Sequence, residues 1–182
     1  MYLIPDFKKE IDSQIKKVAL ETLKIDVKIK FSESDKDLSV YIWYANEYDS
    51  IATFTISAMP GCCGIAVSNG VKMEEWCRNR GFGKALHKIR MYIIKRMGYS
   101  CVICTDITGN IPQERILYKN NWVRVNSFKN SRTGNNVSVF VHNFSKATVL
   151  SWLNRLNFRR WNMFNHCVKE PEDSLWGPDN HK

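Results

Sequence analysis

The chain has 182 residues, of which 44% are hydrophobic and 25% are charged, and its formal net charge at pH 7 is +9. These values are ordinary for a soluble globular protein, and the length allows one substantial hydrophobic core. No apolar run approaches the ~20 residues that cross a bilayer, and the first residues lack the long apolar segment of a signal peptide. We therefore expect a cytoplasmic protein that has no membrane anchor.

The positive charge is concentrated between Trp76 and Arg132. That stretch holds twelve Lys/Arg and two Asp/Glu, a balance of +10, so the remaining fifteen basic and sixteen acidic residues give a balance of −1. Clustered cations favour an anionic ligand or partner, such as a phosphate-bearing cofactor, an acidic acceptor or a nucleic acid. A solvated basic surface is the other interpretation.

The six cysteines do not form a disulfide framework. Cys62 and Cys63 are adjacent, and Cys101-x-x-Cys104 lies inside an apolar run. One such pair without further cysteines or histidines at ligand spacing is a weak zinc signal, and in a strand its side chains point to opposite faces. The sequence therefore predicts buried thiols and no metal.

The first elements in the chain are predicted to be a helix and three strands. Residues 6–24 carry an apolar stripe at helical spacing, with Asp6 as the expected N-cap. Alternating apolar and polar residues, rich in aromatic and β-branched types, predict the strands. They span residues 25–31, 38–45 and 51–58, the last two joined as a hairpin by a turn at 46–50. Residues 59–71, with Pro60 and several glycines, predict a loop with a short strand at 65–67.

The second half alternates strands and helices. A strand at 71–76 is followed by a long helix with an apolar stripe, and Gly98 suits the end of that helix because it tolerates positive φ. The stripe consists of Phe82, Leu86, Ile89, Ile93 and Met97. The elements that follow are a buried strand at 100–107, a helix capped by Asn110, and a hairpin of strands 123–128 and 137–144.

The turn between the 71–76 strand and the long helix is Arg78-Asn79-Arg80-Gly81-Phe82-Gly83-Lys84. The first amides of a helix have no intrahelical partner, and the helix dipole favours an anion there. Glycine lets another molecule approach the backbone closely, and the basic side chains add positive charge. The turn therefore predicts a site for a phosphate or pyrophosphate.

Three glycine-rich signatures compete for this turn. The phosphate loop of nucleotide hydrolases requires Ser or Thr after Gly-Lys, where this chain has Ala85, and the dinucleotide fingerprint requires a third glycine, where it has Leu86. The pattern Arg78-x-x-Gly81-x-Gly83 instead resembles motif A of the GNAT superfamily of N-acetyltransferases.

A second block, around Tyr118, resembles motif B of the same family. Asn121-Trp122 replaces the usual Gly-Phe, a mild departure because asparagine tolerates the left-handed conformation. Glu114 stands where the family prefers a small residue, and Asn110 lies one residue further from Tyr118 than is usual. The resemblance covers about residues 39–144.

The resemblance implies the GNAT fold, an α/β (α+β) architecture with a mixed central sheet of about six or seven strands flanked by helices. It implies acetyl-coenzyme A (acetyl-CoA) as donor and direct transfer to a primary amine of an unidentified acceptor, without metal. A non-catalytic GNAT module that binds an acyl-CoA or a nucleic acid is the alternative. The implied cofactor-binding residues are Met73, Arg78, Asn79, Arg80, Gly81, Phe82, Gly83, Lys84 and Asn110.

The resemblance also suggests catalytic roles. The backbone of the strand at Met73 polarises the thioester carbonyl, a role that leaves its side chain free. Tyr118 is the candidate general acid that protonates the leaving thiolate, with a packing tyrosine as the other interpretation. Glu74 is the candidate base, with a solvated carboxylate as the other interpretation.

Residues 1–144 form the predicted acetyltransferase domain, and residues 145–182 form a C-terminal extension. Residues 145–161 combine an apolar stripe with three arginines, which predicts a basic amphipathic helix. That helix docks on the domain or on a second subunit, giving a homodimer, or it binds a nucleic acid or an acidic partner. Residues 169–182 form a polar tail.

Overall fold

The computed structural model describes residues 1–44 and 50–144. These residues form three α-helices, one 3-10 helix (Glu75–Cys77) and seven strands. The α-helices are α1 (Pro5–Leu23), α2 (Phe82–Arg96) and α3 (Ile111–Lys119). The strands are β1 (Val27–Glu33), β2 (Asp37–Tyr44), β3 (Ser50–Ala58), β4 (Ile65–Met73), β5 (Cys101–Ile107), β6 (Val123–Lys129) and β7 (Asn136–Asn143). The predicted C-terminal extension and most of the predicted turn at 46–50 lie outside the described residues.

The seven strands form one mixed sheet in the order β1-β2-β3-β4-β5-β7-β6. β4 and β5 are parallel and are connected through α2, whereas the other neighbours pair antiparallel. The predicted mixed sheet of six or seven strands is confirmed. The hairpins β2–β3 and β6–β7 are also confirmed, with boundaries within one or two residues of those predicted.

β4 is longer than the sequence predicts and replaces most of the expected glycine-containing loop. Ile65, Ala66 and Val67 pair with β5, and β4 pairs with β3 from Ala66 to Met73. The strand ends at Met73, so Glu74 and Glu75 do not lie on it. The predicted end of the strand at residue 76 is therefore wrong, because the chain turns after Met73 into the 3-10 helix.

A β-bulge lies in β4 at Gly70. Asn69 is opposite Thr55 and Lys72 is opposite Thr53, so two residues of β4 face one residue of β3. Gly70 has φ +60°, and a Cβ at this position would meet Thr55 Oγ1 at 3.1 Å. A bulge bends its strand and increases the local twist. β4 leaves its partner β5 after Val67, immediately before the bulge.

The ends of the helices differ in part from the prediction. Ile4 is the N-cap residue of α1, and Asp6 lies inside the first turn without capping it. Pro5 explains this start, since proline is favoured at the first helical position, where its missing N–H costs nothing. Gly98 (φ 84°) after α2 and Asn121 (φ 60°) after α3 both adopt the left-handed conformation, as predicted.

The hydrophobic core is formed by α1, α2 and the sheet. The fully buried side chains include Ile11 and Ile15 of α1, Phe82 and Ile93 of α2, and Phe54 of β3. α1 and α2 are further joined by the Tyr92 hydroxyl, which donates to Glu10 Oε1 at 2.7 Å. Within the described residues, no helix combines the length and the hydropathy needed to cross a bilayer.

Candidate active site

The turn before α2 has the backbone geometry that the predicted anion site requires, and the binding of a phosphate there stays a prediction. Gly81 is the N-cap residue with φ 87°, and Asn79 is also left-handed, with φ 60°. No side chain caps α2, and its first turn contains no acidic residue. The first backbone N–H groups of the helix are therefore available to a ligand, and the exposed Arg80 and Lys84 add positive charge beside them.

Three other residues of this turn have structural contacts. The Arg78 guanidinium donates to the Met73 carbonyl oxygen at 3.3 Å and thus connects the turn to the end of β4. Phe82 is fully buried in the core, so only its backbone N–H can face a ligand. Gly83 lies against β4 as well, because a Cβ there would be 3.1 Å from Met73 Cε.

A cavity of about 260 Å³ lies where β4 and β5 diverge. These two strands share three residue pairs, the last being Val67 with Ile103, so the edge of β4 that follows has no strand partner in the described sheet. The cavity is lined by the end of β4, by β5, by the start of α3 and by one residue of α2. The lining residues are Ser68, Asn69, Gly70, Val71, Lys72, Arg90, Cys104, Thr105, Asp106, Asn110 and Gln113.

Three lining residues carry buried polar atoms without a hydrogen-bond partner among the described residues. They are Ser68 Oγ, Arg90 Nε and Asp106 Oδ2. Buried polar atoms are nearly always hydrogen-bonded, since an unpaired one costs ~1–3 kcal/mol. Three of them around one cavity indicate that the cavity receives a polar ligand or ordered water.

Asp106 is the only carboxylate among the residues that line this cavity. Its Oδ1 accepts hydrogen bonds from the Ile107 amide and from Asn110 Nδ2, both at 2.9 Å. Burial raises the pKa of Asp106, and these two hydrogen bonds oppose the shift. A carboxylate with a raised pKa and an unpartnered oxygen, on a residue that lines a cavity, is suited to accept a proton.

Asn110 occupies the N-cap position of α3, as predicted, but its side chain does not cap the helix. Its amide is bound to Asp106, and Glu114 Oε1 instead accepts from the Gly109 N–H at 3.2 Å. Glu114 therefore acts at the start of α3, where it satisfies a backbone donor. Asn110 lines the cavity, so its predicted contact with the cofactor stays a prediction.

The two predicted catalytic side chains lie outside the lining of the cavity. Tyr118 is 50% exposed, and the edge of its ring meets Phe140 at a centroid distance of 5.6 Å. Phe140 pairs across the sheet with Cys104, which does line the cavity. Glu74 is exposed, and its backbone N–H donates to the Ile51 carbonyl. Their roles as acid and base stay predictions.

Cys101 and Cys104 are buried, as predicted for β5. Burial raises the pKa of both thiols, to about 12 for Cys104, so both are protonated at neutral pH. Among residues 1–44 and 50–144, no group of three or more His, Cys, Asp or Glu side chains is arranged to hold a metal ion.

The basic residues between Trp76 and Arg132 are almost all on the surface. Eleven of the twelve are exposed and Arg90 is buried. None of the twelve forms a salt bridge with another residue of the described chain; the four ion pairs found there all involve lysines of α1. The surface cations are therefore free to meet an anionic partner.

Sequence reasoning missed Ser68, Arg90 and Asp106. Ser68 lies in a stretch predicted as loop, and nothing in the residues around Asp106 sets it apart. Arg90 did carry a signal. It lies four residues after Leu86 and three before Ile93, which puts it on the apolar face of α2.

The sheet order, the parallel pair that diverges after three residues and the glycine turn before α2 together define an α/β fold with a mixed seven-stranded sheet. The chain has the GNAT acetyltransferase fold, as its similarity to solved structures shows. The fold predicted from the two motifs is thereby confirmed. No protein-family model and no curated protein matches the sequence.

Three solved structures illustrate the similarity. The Bacillus subtilis acetyltransferase in complex with CoA is 11% identical, and the match covers 66% of this chain and 100% of that one, with a TM-score of 0.53. A GNAT family acetyltransferase from Elizabethkingia anophelis with acetyl-CoA bound is 12% identical, over 65% and 98%, with a TM-score of 0.54. The ribosomal-protein-S18-alanine N-acetyltransferase from Escherichia coli is 9% identical, over 64% and 75%, with a TM-score of 0.52.

Proposed function

We propose that this protein is an acetyl-CoA-dependent N-acetyltransferase that moves an acetyl group directly to a primary amine. The observation that carries the proposal is the cavity where β4 and β5 diverge. The uncapped N-terminus of α2, which follows β4 in the chain, supports it. Two structural neighbours were solved with CoA or acetyl-CoA bound, which supports the same donor here.

The residues present fit this donor. The free N–H groups of residues 81–84, with Arg80 and Lys84 beside them, suit the pyrophosphate. Asn79 and Gly81, both left-handed, turn the backbone so that these amides converge. The unpaired edge of β4 offers backbone donors and acceptors to the amides of the pantetheine arm, and Met73 ends that edge. Asn110 also lines the cavity.

The transfer forms a C–N bond and breaks the C–S bond of the thioester. The amine must lose a proton, and Asp106 Oδ2 is a suitable acceptor because it has no hydrogen-bond partner among the described residues and belongs to a residue that lines the cavity. Glu74 is the alternative base, acting from outside the cavity through water. Tyr118 donates its hydroxyl proton to the departing sulfur.

The exposed cations favour an acceptor amine carried by an acidic molecule or a nucleic acid. Eleven exposed basic side chains without a salt bridge among the described residues exceed what one coenzyme requires. The same surface is the observation that supports the alternative, a GNAT module that binds an acyl-CoA or a nucleic acid without turnover.

The test is release of free CoA thiol with a panel of amines, preceded by a measurement of CoA affinity by calorimetry. The panel contains small amines, polyamines, peptides with free N-termini or lysines, and aminoacyl-RNA. Micromolar CoA binding followed by thiol release with one class of amine supports the enzyme. CoA binding without turnover on the whole panel supports the module, and the absence of CoA binding contradicts both.

A further inference from the structure

The buried face of α2 contains a cation. Arg90 is 3% exposed and lies between aliphatic residues of the helix that face the core. No carboxylate of the described residues lies within salt-bridge distance of its guanidinium. Burial lowers the pKa of Arg90 to about 10, so the group keeps its charge at neutral pH. A buried charge is costly unless it is paired.

The protein itself satisfies this guanidinium poorly. One terminal nitrogen lies 3.1 Å from His87 Nδ1, and Trp122 Nε1 lies 3.2 Å from His87 Nε2. Burial lowers the pKa of His87 to about 3, so its ring is neutral and has one lone pair to offer. Arginine and the indole N–H are both donors only. His87 can therefore accept from one of them, and one donor is left over.

Arg90 is also one of the residues that line the cavity, which makes a ligand there the candidate partner for its guanidinium. The Arg90 Nε has no partner among the described residues. Ser68, which is 2% exposed, lines the same cavity, and its hydroxyl is also unpartnered. Arg90 lies eight residues into α2, about 12 Å from the helix start at 1.5 Å per residue, so it is separate from the anion site there.

We propose that Arg90 and Ser68 bind a carboxylate carried by one of the two substrates. The carboxylate is either the far end of a dicarboxylic acyl group, as in succinyl-CoA, or the carboxylate of an amino-acid acceptor. A guanidinium fork matches the two oxygens of a carboxylate. A single negative charge balances Arg90, whereas a phosphate dianion would leave excess charge beside Asp106 of the same cavity. The inference rests on the proposed function and specifies the substrate class of that site.

The first arm of the test addresses the donor. Calorimetry compares CoA, acetyl-CoA and succinyl-CoA on the wild type, on Arg90→Met, which keeps an unbranched side chain without the charge, and on Arg90→Lys. If the donor carries the carboxylate, succinyl-CoA binds roughly 10- to 100-fold more tightly than acetyl-CoA, the range expected for a charged hydrogen-bond pair. Arg90→Met abolishes that preference and leaves CoA affinity unchanged, and Arg90→Lys retains part of it.

The second arm addresses the acceptor. With CoA bound, the melting temperature is measured against the amino acids and against their carboxamides. If the acceptor carries the carboxylate, one or more amino acids raise the melting temperature, their carboxamides do not, and Arg90→Met removes the difference. Ser68→Ala provides a second variant, which weakens the preference in whichever arm shows it.

The outcomes separate the hypotheses. Equal affinity for acetyl-CoA and succinyl-CoA, together with equal response to acids and amides, overturns the inference while CoA binding upholds the proposed donor. If the wild type does not bind CoA, both the inference about Arg90 and the proposed function are contradicted. Arg90→Met is expected to melt at the wild-type temperature or above, because a well-packed apolar side chain replaces an unpaired buried charge. A lower melting temperature with unchanged ligand preference assigns Arg90 a structural role and also overturns the inference.

Discussion

The methyl carbon of Met73 lies 3.1 Å from the point at which a Cβ would project from Gly83. The last residue of β4 therefore packs on the first turn of α2, and Gly83 makes space for that contact. Under the proposed function it also makes space for the ligand. The two roles of this glycine have opposite consequences for substitution, because a methionine side chain can move aside whereas a diphosphate has no comparable freedom.

Gly83→Ala should separate stability from binding. The flexible end of Met73 yields by a few tenths of an ångström, and alanine is favoured over glycine in a helix by up to ~1 kcal/mol. We expect an unchanged or higher melting temperature together with CoA affinity reduced by about tenfold or more, measured by calorimetry. Gly98→Ala is the control. It strains a left-handed position (φ 84°) after the same helix, so it should lower the melting temperature and keep the affinity.

Tyr118→Phe should lower turnover by ~10²–10⁴, the usual contribution of a general acid. The fold should be unaffected, since the ring keeps its contact with Phe140 and the lost hydroxyl belongs to a half-exposed side chain. Steady-state rates of thiol release give the comparison. Tyr2→Phe, which removes a hydroxyl 3.2 Å from Asp35, is the matched control and should turn over at the wild-type rate. Equal rates for both variants would remove Tyr118 from the mechanism.

Asp106→Asn and Glu74→Gln form a pair that identifies the base. If Asp106 is the base, its variant loses ~10²-fold or more in kcat and Glu74→Gln stays near the wild type. The acid limb of the wild-type kcat/KM profile should then lie above the usual pKa of an aspartate, since burial raises the pKa of Asp106.

The same raised pKa has a consequence for stability. In the pH window between the unfolded and folded pKa values, the folded state holds more protons than the unfolded state, so stability falls as pH rises. At neutral pH, Asp106→Asn should therefore be at least as stable as the wild type by denaturant unfolding. A marked loss of stability would mean that Asp106 has a structural role in the folded protein.

His87→Gln should change the acid stability of the protein. Burial, helped by the charge of Arg90, lowers the pKa of His87 to about 3 in the folded state, whereas in the unfolded chain it is 6.5. Between those values the unfolded state binds one more proton, so stability is lost as pH falls from 6.5 toward 3, at about 1.4 kcal/mol per pH unit. Denaturant unfolding across this pH range should show that the free energy of unfolding falls less steeply with decreasing pH in the variant than in the wild type. If the free energy of unfolding depends on pH equally in the wild type and the variant, the assignment of His87 as a neutral, buried histidine is wrong.

The predictable parts of the fold are those with local signals. The apolar stripes of α1 and α2 and the alternation in β2, β3 and β7 are periodic, so the sequence predicts their type and approximate bounds. The left-handed Asn121 was predictable for a similar reason, because few residues tolerate that conformation.

The parts that escaped prediction depend on tertiary contacts. Ser68, Asn69 and Gly70 have poor strand propensity, and they form a strand because β3 pairs with them around a bulge. Asp6 was predicted to be the N-cap of α1, but Pro5 takes the first helical position and Ile4 is the N-cap. The cavity arises from strands that separate, and no local pattern in the residues of β4 or β5 encodes where their pairing stops.

The short pairing of β4 with β5 has a mechanical consequence. The sheet is two blocks, β1–β4 and β5–β7, and the seam between them is held by three residue pairs. A ligand arm that hydrogen-bonds to the free edge of β4 lengthens this seam in the manner of an added strand. Amide hydrogens of Ala66 and Val102 should then exchange with solvent more slowly when CoA is bound. The exchange rate at this pair of strands would therefore show whether CoA occupies the site.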